Sequence, residues 1–211
     1  IPVVAALGAA LCASLRGRRA FSGLAIGVAL MKPTIAVPFV LPYLVRRDWP
    51  ALIALSFYCA AGSLITYLVL GADPLTMLGQ LRLVGDYLAT EGNIGLTRGL
   101  VSIGAEPAQA TGFAAAGLLT IGAAVSWNWR KSDLLDLFAV AAYVGRFWTY
   151  HRVYDDVMLV FLSLAVVRAA ARDTTRRTAL VALSVVITLA LPARLQAYPA
   201  VQLAQIVIWT V

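Results

Sequence analysis

The sequence predicts an all-α, polytopic membrane protein, and its composition and its patterning both support this. Of the 211 residues, 61% are hydrophobic and only 13% are charged, and the mean hydropathy is +0.85. A soluble globular domain is about half apolar and about one quarter charged. The apolar residues come in long runs, without the period-two alternation and regular turns of β-barrel strands. We treat residues 1–211 as one transmembrane domain.

Successive apolar runs provide the predicted helices. The first, residues 1–15, opens without a methionine or a charged leader, so we expect a fragment of a longer protein that lacks its N-terminal part and first outer loop. Several runs are shorter than the roughly 20 residues that cross a bilayer untilted. The remaining runs cover residues 21–45, 51–70, 108–127, 134–149, 153–167, 178–191 and 199–211.

Short basic clusters separate these runs, and placing them all in the cytoplasm satisfies the positive-inside rule. Residues 21–45 must then enter and leave the membrane on that side. Lys32 and Pro33 lie in their middle, where proline breaks a helix and lysine is costly in lipid. We therefore predict a hairpin of two half-helices that turns at Lys32-Pro33. The alternative is one kinked helix whose Lys32 side chain reaches the interface.

The long segment 71–107 falls on the opposite, outer side. Asp73-Pro74 is a favourable helix start, and leucine and valine recur at helical spacing up to Leu88, which predicts an amphipathic helix along the membrane surface. A polar turn with Asn93 and Arg98 follows. Loops of this length are more often functional than idle, although a merely solvated loop is the alternative.

A second group of chemically active residues, His151 to Asp156, adjoins the apolar run 153–167. If this segment is helical, His151 and Asp155 share one face, and Arg152 and Asp156 share the neighbouring one. That arrangement places an acid–base pair beside an ion pair at a membrane boundary. The alternative is that Asp155 and Asp156 only cap a helix N-terminus. These residues alone support both interpretations equally.

Several cations collect on the outer side, where the positive-inside rule predicts few, and an anion at the membrane surface is their natural ligand. A lipid phosphate fits best. The net charge of +7 does not indicate nucleic-acid binding, because the basic residues lie in short clusters between apolar runs. No sequence pattern suits zinc, a phosphate-binding glycine loop or a Ser-His-Asp triad. We predict no cofactor, with a divalent cation at Asp155 and Asp156 as the alternative. The outward cations are Lys32, Arg82, Arg98, Arg146, His151, Arg152 and Arg194.

Three short motifs occur in the same order as in a known family. Ala29-Leu30-Met31-Lys32-Pro33, with Arg46-Arg47-Asp48-Trp49 further on, resembles the ALxKP…RRxW segment of glycosyltransferase family eighty-seven. His151-Arg152-Val153-Tyr154-Asp155 is similar to that family's His-x-x-Tyr-Asp or His-Ser-x-Asp signature, and Asn93 to its asparagine-containing turn. These are membrane enzymes of the GT-C fold that include polyprenol-phosphate-mannose-dependent mannosyltransferases.

The resemblance implies transfer of a sugar, mannose or another hexose or pentose, from a polyprenyl-phosphate-linked donor to a lipid or glycan acceptor. The site would face the periplasmic or extracellular side of the cell membrane. The family's acidic base lies in the first outer loop, so we expect the fragment alone to be inactive. The resemblance implies donor-phosphate binding by Lys32, Arg98, Arg146 and Arg152, catalysis by His151 and Asp155, and acceptor or sugar binding by Asn93, Tyr154 and Asp156.

Two other classes of protein stay open. Carriers also build substrate sites from broken helices with charged residues, but a carrier usually has a second interrupted segment, and we predict only one. A non-catalytic membrane subunit would pair its polar residues with one another. An O-antigen-ligase-like enzyme would use the same donor on a different helical arrangement.

Overall fold

The computed structural model describes residues 2–71, 73, 75–77, 79–80, 83, 95–147, 153–173, 175–191, 195 and 198–210, and over these residues it is all-α. The α-helices are α1 (Pro2–Leu15), α2 (Arg19–Ala29), α3 (Pro33–Ala36), α4 (Leu41–Val45), α5 (Trp49–Leu70), α6 (Leu96–Ser102), α7 (Pro107–Asn128), α8 (Leu134–Phe147), α9 (Val160–Arg172), α10 (Arg176–Leu189) and α11 (Pro199–Thr210). Two 3-10 helices, Val37–Val40 and Val153–Leu159, precede α4 and α9.

The predicted hairpin is confirmed. Helix α2 ends at Ala29, the chain turns through Leu30 to Lys32, and α3 begins at Pro33. The returning arm consists of short pieces because Pro33, Pro38 and Pro42 each lack the N–H that a continuous α-helix needs. The two arms are antiparallel, so both of their arginine-flanked ends lie together.

A buried hydroxyl network joins these two ends of the hairpin. Ser22 Oγ donates to the carbonyl oxygen of Ala10 at 2.7 Å and lies 2.6 Å from Tyr43 Oη and 3.0 Å from Ser14 Oγ. A hydroxyl has one proton to donate and two lone pairs to accept with. Since Ser22 donates to Ala10, it must accept from both Ser14 and Tyr43. The network therefore ties α1, α2 and α4 together with no hydrogen-bonding capacity of Ser22 left over.

An aromatic cluster fixes the returning arm against the later helices. Phe39, Phe138 and Phe161 come from the first 3-10 helix, α8 and α9, and each pair of rings meets edge-to-face with centroids 5.3 or 5.4 Å apart. All three side chains are buried. Edge-to-face aromatic pairs add about 0.5–1.5 kcal/mol each beyond the area that they bury. This cluster is the centre of the core.

The basic clusters meet at one end of the molecule, which we call the arginine-rich end (Arg46, Arg47, Arg130, Arg168 and Arg172). The Arg46 guanidinium donates to the carbonyl oxygen of Ser132, just before α8. Asp133 binds both Arg168 and Arg172 at the end of α9, with 3.3 Å between its Oδ2 and Arg172 Nη1. These contacts confirm that clusters distant in sequence share one side.

The opposite end, which we call the Lys32 end, carries Lys32, Arg98 and Arg146. Helix α7 has 22 residues, so its start at Pro107 lies about 33 Å from the arginine-rich end at which it finishes. Helix α8 starts beside Asp133, at the arginine-rich end. It therefore finishes, at Phe147, at the opposite end of the molecule. The hairpin turn reaches this end because α3 packs against α8.

Helices α5 and α7 are long and apolar enough to cross a membrane. Of the α5 side chains, only Ala51 and Leu55 are buried, so apolar residues such as Phe57 and Leu68 face outward. The core helix of a soluble protein would bury such residues. The outward apolar surface of α5 therefore fits a membrane and not water.

Three helices end in the same Schellman motif with different residues at its left-handed position. After α1, the N–H of Arg18 bonds to the Ala13 carbonyl, and after α6, the N–H of Ala105 bonds to the Leu100 carbonyl. The left-handed residues there are Gly17, at φ 74°, and Gly104, at φ 98°. After α4, the N–H of Asp48 bonds to the Tyr43 carbonyl at 2.9 Å, and the left-handed residue is Arg47, at φ 53°. A left-handed conformation costs a non-glycine residue about 1–2 kcal/mol.

The predicted start of the interfacial helix is confirmed at Asp73. Its Oδ1 accepts from the N–H groups of Leu75 and Thr76 at 2.9 and 3.0 Å, as an N-cap does. Hydrogen bonds from Thr76, led by its hydroxyl, hold the pKa of Asp73 below its usual range. Residues 75–77, 79–80 and 83 are helical, and most of the predicted length of this helix lies outside the described residues.

The close approach of α2 and α5 gives a first prediction. A Cβ on Gly23 would overlap the Ala51 carbonyl oxygen, which is backbone and cannot turn aside. We expect Gly23→Ala to lower the free energy of unfolding by about 1–3 kcal/mol, the usual range for overpacking. Gly62→Ala on α5 is the matched control, because a Cβ there meets nothing within 4 Å. Thermal unfolding by circular dichroism in one detergent would compare them, and equal midpoints would contradict the tight helix contact.

Candidate functional site

The best-defined group at the Lys32 end is an ion pair between Arg146 and Asp156. Arg146 lies in the last turn of α8, where a cation is favoured by the helix dipole, and its side chain is 0% exposed. Its Nε is 2.7 Å from Oδ1 of Asp156, whose side chain is 16% exposed. Asp156 belongs to the second 3-10 helix. The pair therefore bridges two elements that flank residues 148–152.

Apolar groups surround this ion pair. The Arg146 guanidinium lies 5.5 Å from the centroid of the Phe147 ring, a cation–π contact. A Cβ on Gly145 would come within 3.2 Å of Met158 Sδ and 3.6 Å of Pro38 Cγ. The returning arm of the hairpin, the end of α8 and the second 3-10 helix thus meet beside Arg146. Such surroundings make an unpaired charge very costly, so each partner requires the other.

We expected the segment after His151 to follow α-helical spacing. This expectation is wrong for residues 153–159. Residues Val153–Leu159 form a 3-10 helix, which has three residues per turn, and α-helical geometry begins only at Val160. Positions four apart therefore do not share one face there. The carboxylate of Asp156 binds Arg146, ten residues earlier, and the expected pairing of Asp156 with Arg152 stays a prediction. His151 and Arg152 lie outside the described residues.

Helix capping does not explain Asp156. The N-cap of α9 is Leu159, which makes no side-chain capping hydrogen bond. Asp156 lies three residues earlier and binds the guanidinium of Arg146. The cap alternative is thus wrong for Asp156 at α9. Nothing is described of the side chains of Asp155 and Tyr154, whose backbone belongs to the 3-10 helix, so their predicted roles stay predictions.

Lys32 stands at the hairpin turn, as expected. It occupies the N-cap position of α3, with Pro33 as the first helical residue, and its side chain is half-buried. Its backbone has φ −125° and ψ 83°, outside the α-helical region that a following proline disfavours. The turn therefore presents a lysine at the end of the molecule where Arg146 and Asp156 lie.

Arg98 belongs to α6 and is exposed, whereas its neighbour Thr97 is buried. Helix α6 packs against α7 and precedes its first residue, Pro107, so Arg98 lies at the Lys32 end. Asn93 lies outside the described residues. The structure thus places Lys32, Arg98 and Arg146 at one end, and it brings Arg146 and Asp156 into contact.

Metal binding finds no support in the described ranges. Within residues 2–71, 95–147, 153–173 and the other described positions, no three His, Cys, Asp or Glu side chains group closely enough to hold an ion. Asp156, one of the two carboxylates considered for a divalent cation, binds Arg146.

The family model for glycosyltransferase family 87 matches residues 1–149 of the 211. The chain belongs to glycosyltransferase family 87. No curated protein and no solved structure matches the chain. The family identifies a glycosyltransferase, and the helical architecture with outward apolar surface is that of a membrane protein. Sugar transfer is therefore favoured over the carrier and the non-catalytic subunit.

The family 87 match covers Lys32, Asn93, Arg98 and Arg146 and ends two residues before His151. The Arg146–Asp156 pair crosses this boundary, because Arg146 lies inside the matched region and Asp156 outside it. Sequence reasoning missed this pair. The available signal was an arginine in the last turn of a largely apolar segment, where a charge usually needs a partner nearby.

Breaking this pair gives a second prediction. Asp156→Asn and Arg146→Met should each lower the free energy of unfolding by up to about 3–5 kcal/mol, because each removes one partner of a largely buried ion pair. The double variant Arg146→Met/Asp156→Leu should recover most of that loss. Denaturant unfolding in a fixed detergent measures all three, with Arg98→Met as an exposed control. A single variant as stable as the wild type would show that the pair does not hold this part of the fold.

Proposed function

We propose that the chain is the membrane domain of a GT-C-type enzyme that transfers a sugar from a polyprenyl-phosphate-linked donor to a lipid or glycan acceptor. The sugar is mannose or another hexose or pentose. The arginine-rich end faces the cytoplasm, in accordance with the positive-inside rule. The Lys32 end then faces the periplasmic or extracellular side of the cell membrane and carries the site.

The observation that carries this proposal is the meeting of the hairpin turn with the end of α8. Helix α3, which begins directly after Lys32, packs against α8, and Pro38 of the returning arm lies beside Gly145. Residues 148–152, which include His151, follow α8 directly in the sequence. The proposed site is therefore formed where the lysine of the hairpin turn meets the end of α8. A lipid phosphate at the membrane surface is the anion that suits such a site.

The charge that develops during the transfer explains the need for cations. The acceptor oxygen forms a bond to the anomeric carbon of the sugar while the bond from that carbon to the phosphate oxygen breaks. The bonding electron pair stays on the phosphate, and the acceptor hydroxyl passes its proton to the acidic base that we expect in the first outer loop. Cations held in advance near the phosphate oxygen lower the barrier, because they need no reorganisation during the reaction. We assign this role to Lys32, Arg98 and Arg152.

The remaining residues act around this phosphate. His151 donates a hydrogen bond to the leaving oxygen, and Asp155 orients His151 or accepts from sugar hydroxyls. Asn93 and Tyr154 contact the sugar or the acceptor. Arg146 and Asp156 neutralise each other, so we assign them a positioning role in which they hold the two ends of the His151 segment. The sequence led us to expect that Arg146 binds the donor phosphate and that Asp156 binds the acceptor or the sugar. In this proposal both residues position the His151 segment instead.

A third prediction uses the two lysines of the chain as a matched pair. Lys32→Met removes a charge at the Lys32 end, and Lys131→Met removes one just before α8 at the arginine-rich end. Losing a hydrogen bond to a charged group costs about 1.5–3 kcal/mol, so Lys32→Met should lower kcat/KM by roughly ten- to a hundredfold. Lys131→Met should leave it unchanged. Sugar transfer from a polyprenyl-phosphate donor, measured in membranes with the full-length protein, tests both.

Equal transfer rates for Lys32→Met and the wild type, at equal amounts in the membrane, would remove Lys32 from the site. Equal losses in both lysine variants would mean that net charge and not position matters. Either outcome would contradict the proposed donor site at the hairpin turn.

A fourth prediction separates catalysis from capping at Asp155. Asparagine caps a helix about as well as aspartate, so Asp155→Asn is mild if the carboxylate only caps. In the proposed site it should lower transfer by about ten- to a hundredfold, as should His151→Gln. If the two side chains act as one unit, the double variant should lose little more than either single one.

Asp73→Asn is the control, because Asp73 is a cap in the structure and its loss of charge should be harmless. Near-normal transfer by Asp155→Asn, with normal expression and with Asp73→Asn behaving identically, would leave Asp155 as a cap.

A further inference from the structure

A second polar site lies at the arginine-rich end, remote from the proposed catalytic residues. There, the turn after α4 meets the end of α7 around an open pocket of about 390 Å³. None of the residues that line it is acidic. They are Val45, Arg46, Arg47, Trp127 and Arg130. Three arginines from two distant parts of the chain therefore line one open pocket, which suits an anion.

Two of these arginines are held in place by the protein. The Arg46 guanidinium donates to the carbonyl oxygen of Ser132. Arg130 Nη1 donates to the carbonyl oxygen of Trp127 at 2.8 Å, and its guanidinium carbon lies 4.6 Å from the centroid of the Trp127 ring. Partial burial lowers the pKa of the Arg46 guanidinium. An anion in the pocket would offset the cost of burying the Arg46 charge. Guanidinium groups that are already in position bind phosphate with paired hydrogen bonds.

The third arginine, Arg47, occupies a position where glycine would be easier. Two other Schellman motifs of this chain place Gly17 and Gly104 at the left-handed position, and the motif after α4 places Arg47 there at φ 53°. Residues that keep an unfavourable backbone conformation occur preferentially at binding sites. The side chain of Arg47 lines the pocket, so ligand binding gives a reason to keep arginine where glycine would relieve the strain.

The surroundings identify the ligand as a lipid. Trp127 lies in the last turn of α7 and Trp49 begins α5, the two helices that can cross a membrane, and tryptophan is enriched at the membrane interface. An apolar groove of about 450 Å³ runs along α5 and begins two residues after Arg47. It can take an acyl chain, which a soluble anion does not have. The groove is lined by Trp49, Leu52, Ile53, Ser56, Phe57 and Ala60.

We propose that the pocket at the arginine-rich end binds the phosphate headgroup of an anionic phospholipid of the inner leaflet, with an acyl chain along the α5 groove. Basic pockets between membrane helices on the cytoplasmic side are suited to such headgroups. Sugar transfer at the Lys32 end is not required for this binding. The two proposals can therefore fail separately.

The test measures binding of phosphatidylglycerol to the full-length protein in detergent by native mass spectrometry. Phosphatidylcholine is the neutral comparison lipid. Arg47→Gly removes the guanidinium and relieves the left-handed backbone, so it should be at least as stable as the wild type yet bind phosphatidylglycerol about tenfold more weakly. Arg130→Gln should weaken binding similarly. Arg16→Gln is the matched control, because Arg16 is exposed near this end and does not line the pocket.

Three results would overturn the proposal. Equal weakening by Arg16→Gln would show diffuse attraction to basic residues and not a pocket. Equal binding of phosphatidylcholine would show that the headgroup charge is not recognised. Displacement of the lipid by millimolar inorganic phosphate, with the same effect of Arg47→Gly on both ligands, would show a site for soluble anions. Selective weakening by Arg47→Gly and Arg130→Gln, with phosphate ineffective, supports the lipid site.

Discussion

The cost of burying charge in an apolar protein governs the arrangement at the Lys32 end. Arg146 is fully buried, and a guanidinium in such surroundings must be paired or it destabilises the fold. Asp156 supplies the pair at 2.7 Å from a different element. Helix α8 and the second 3-10 helix are thereby held together at both ends of the segment that carries His151.

The same constraint explains why the two ends of the molecule differ. At the arginine-rich end the cations are numerous, and Asp133 binds Arg168 and Arg172. Water and lipid headgroups can solvate the remaining ones. At the Lys32 end the described cations are few, and Arg146 is neutralised by Asp156 within the protein. The edge-to-face cluster of Phe39, Phe138 and Phe161 lies between these ends and keeps the returning arm of the hairpin in contact with α8 and α9.

Local rules predicted the features that depend on neighbouring residues. Lys32-Pro33 predicted the hairpin turn because proline breaks a helix, and Asp73 predicted a helix start because its carboxylate can reach the next N–H groups. Contacts between distant positions could not be found in this way. The Arg146–Asp156 pair joins the end of α8 to the second 3-10 helix, and the 3-10 geometry of Val153–Leu159 departs from the α-helical spacing that was expected there. The left-handed conformation of Arg47 could not be predicted either, because glycine and not arginine usually indicates a left-handed residue after a helix.

Packing contacts cross the boundary at which the family match ends. The match ends at residue 149, yet the packing continues across it: Asp156 binds Arg146, Met158 lies beside Gly145, and Phe161 packs on Phe138. Residues 153–161 therefore complete the core of the matched region and cannot be a separate appendage to it. Since Lys32 adjoins the arm that carries Pro38 and Phe39, a change in the 153–161 segment would displace the support of the hairpin turn as well as the His151 segment. Residues 153–161 and the matched region thus form one packed unit.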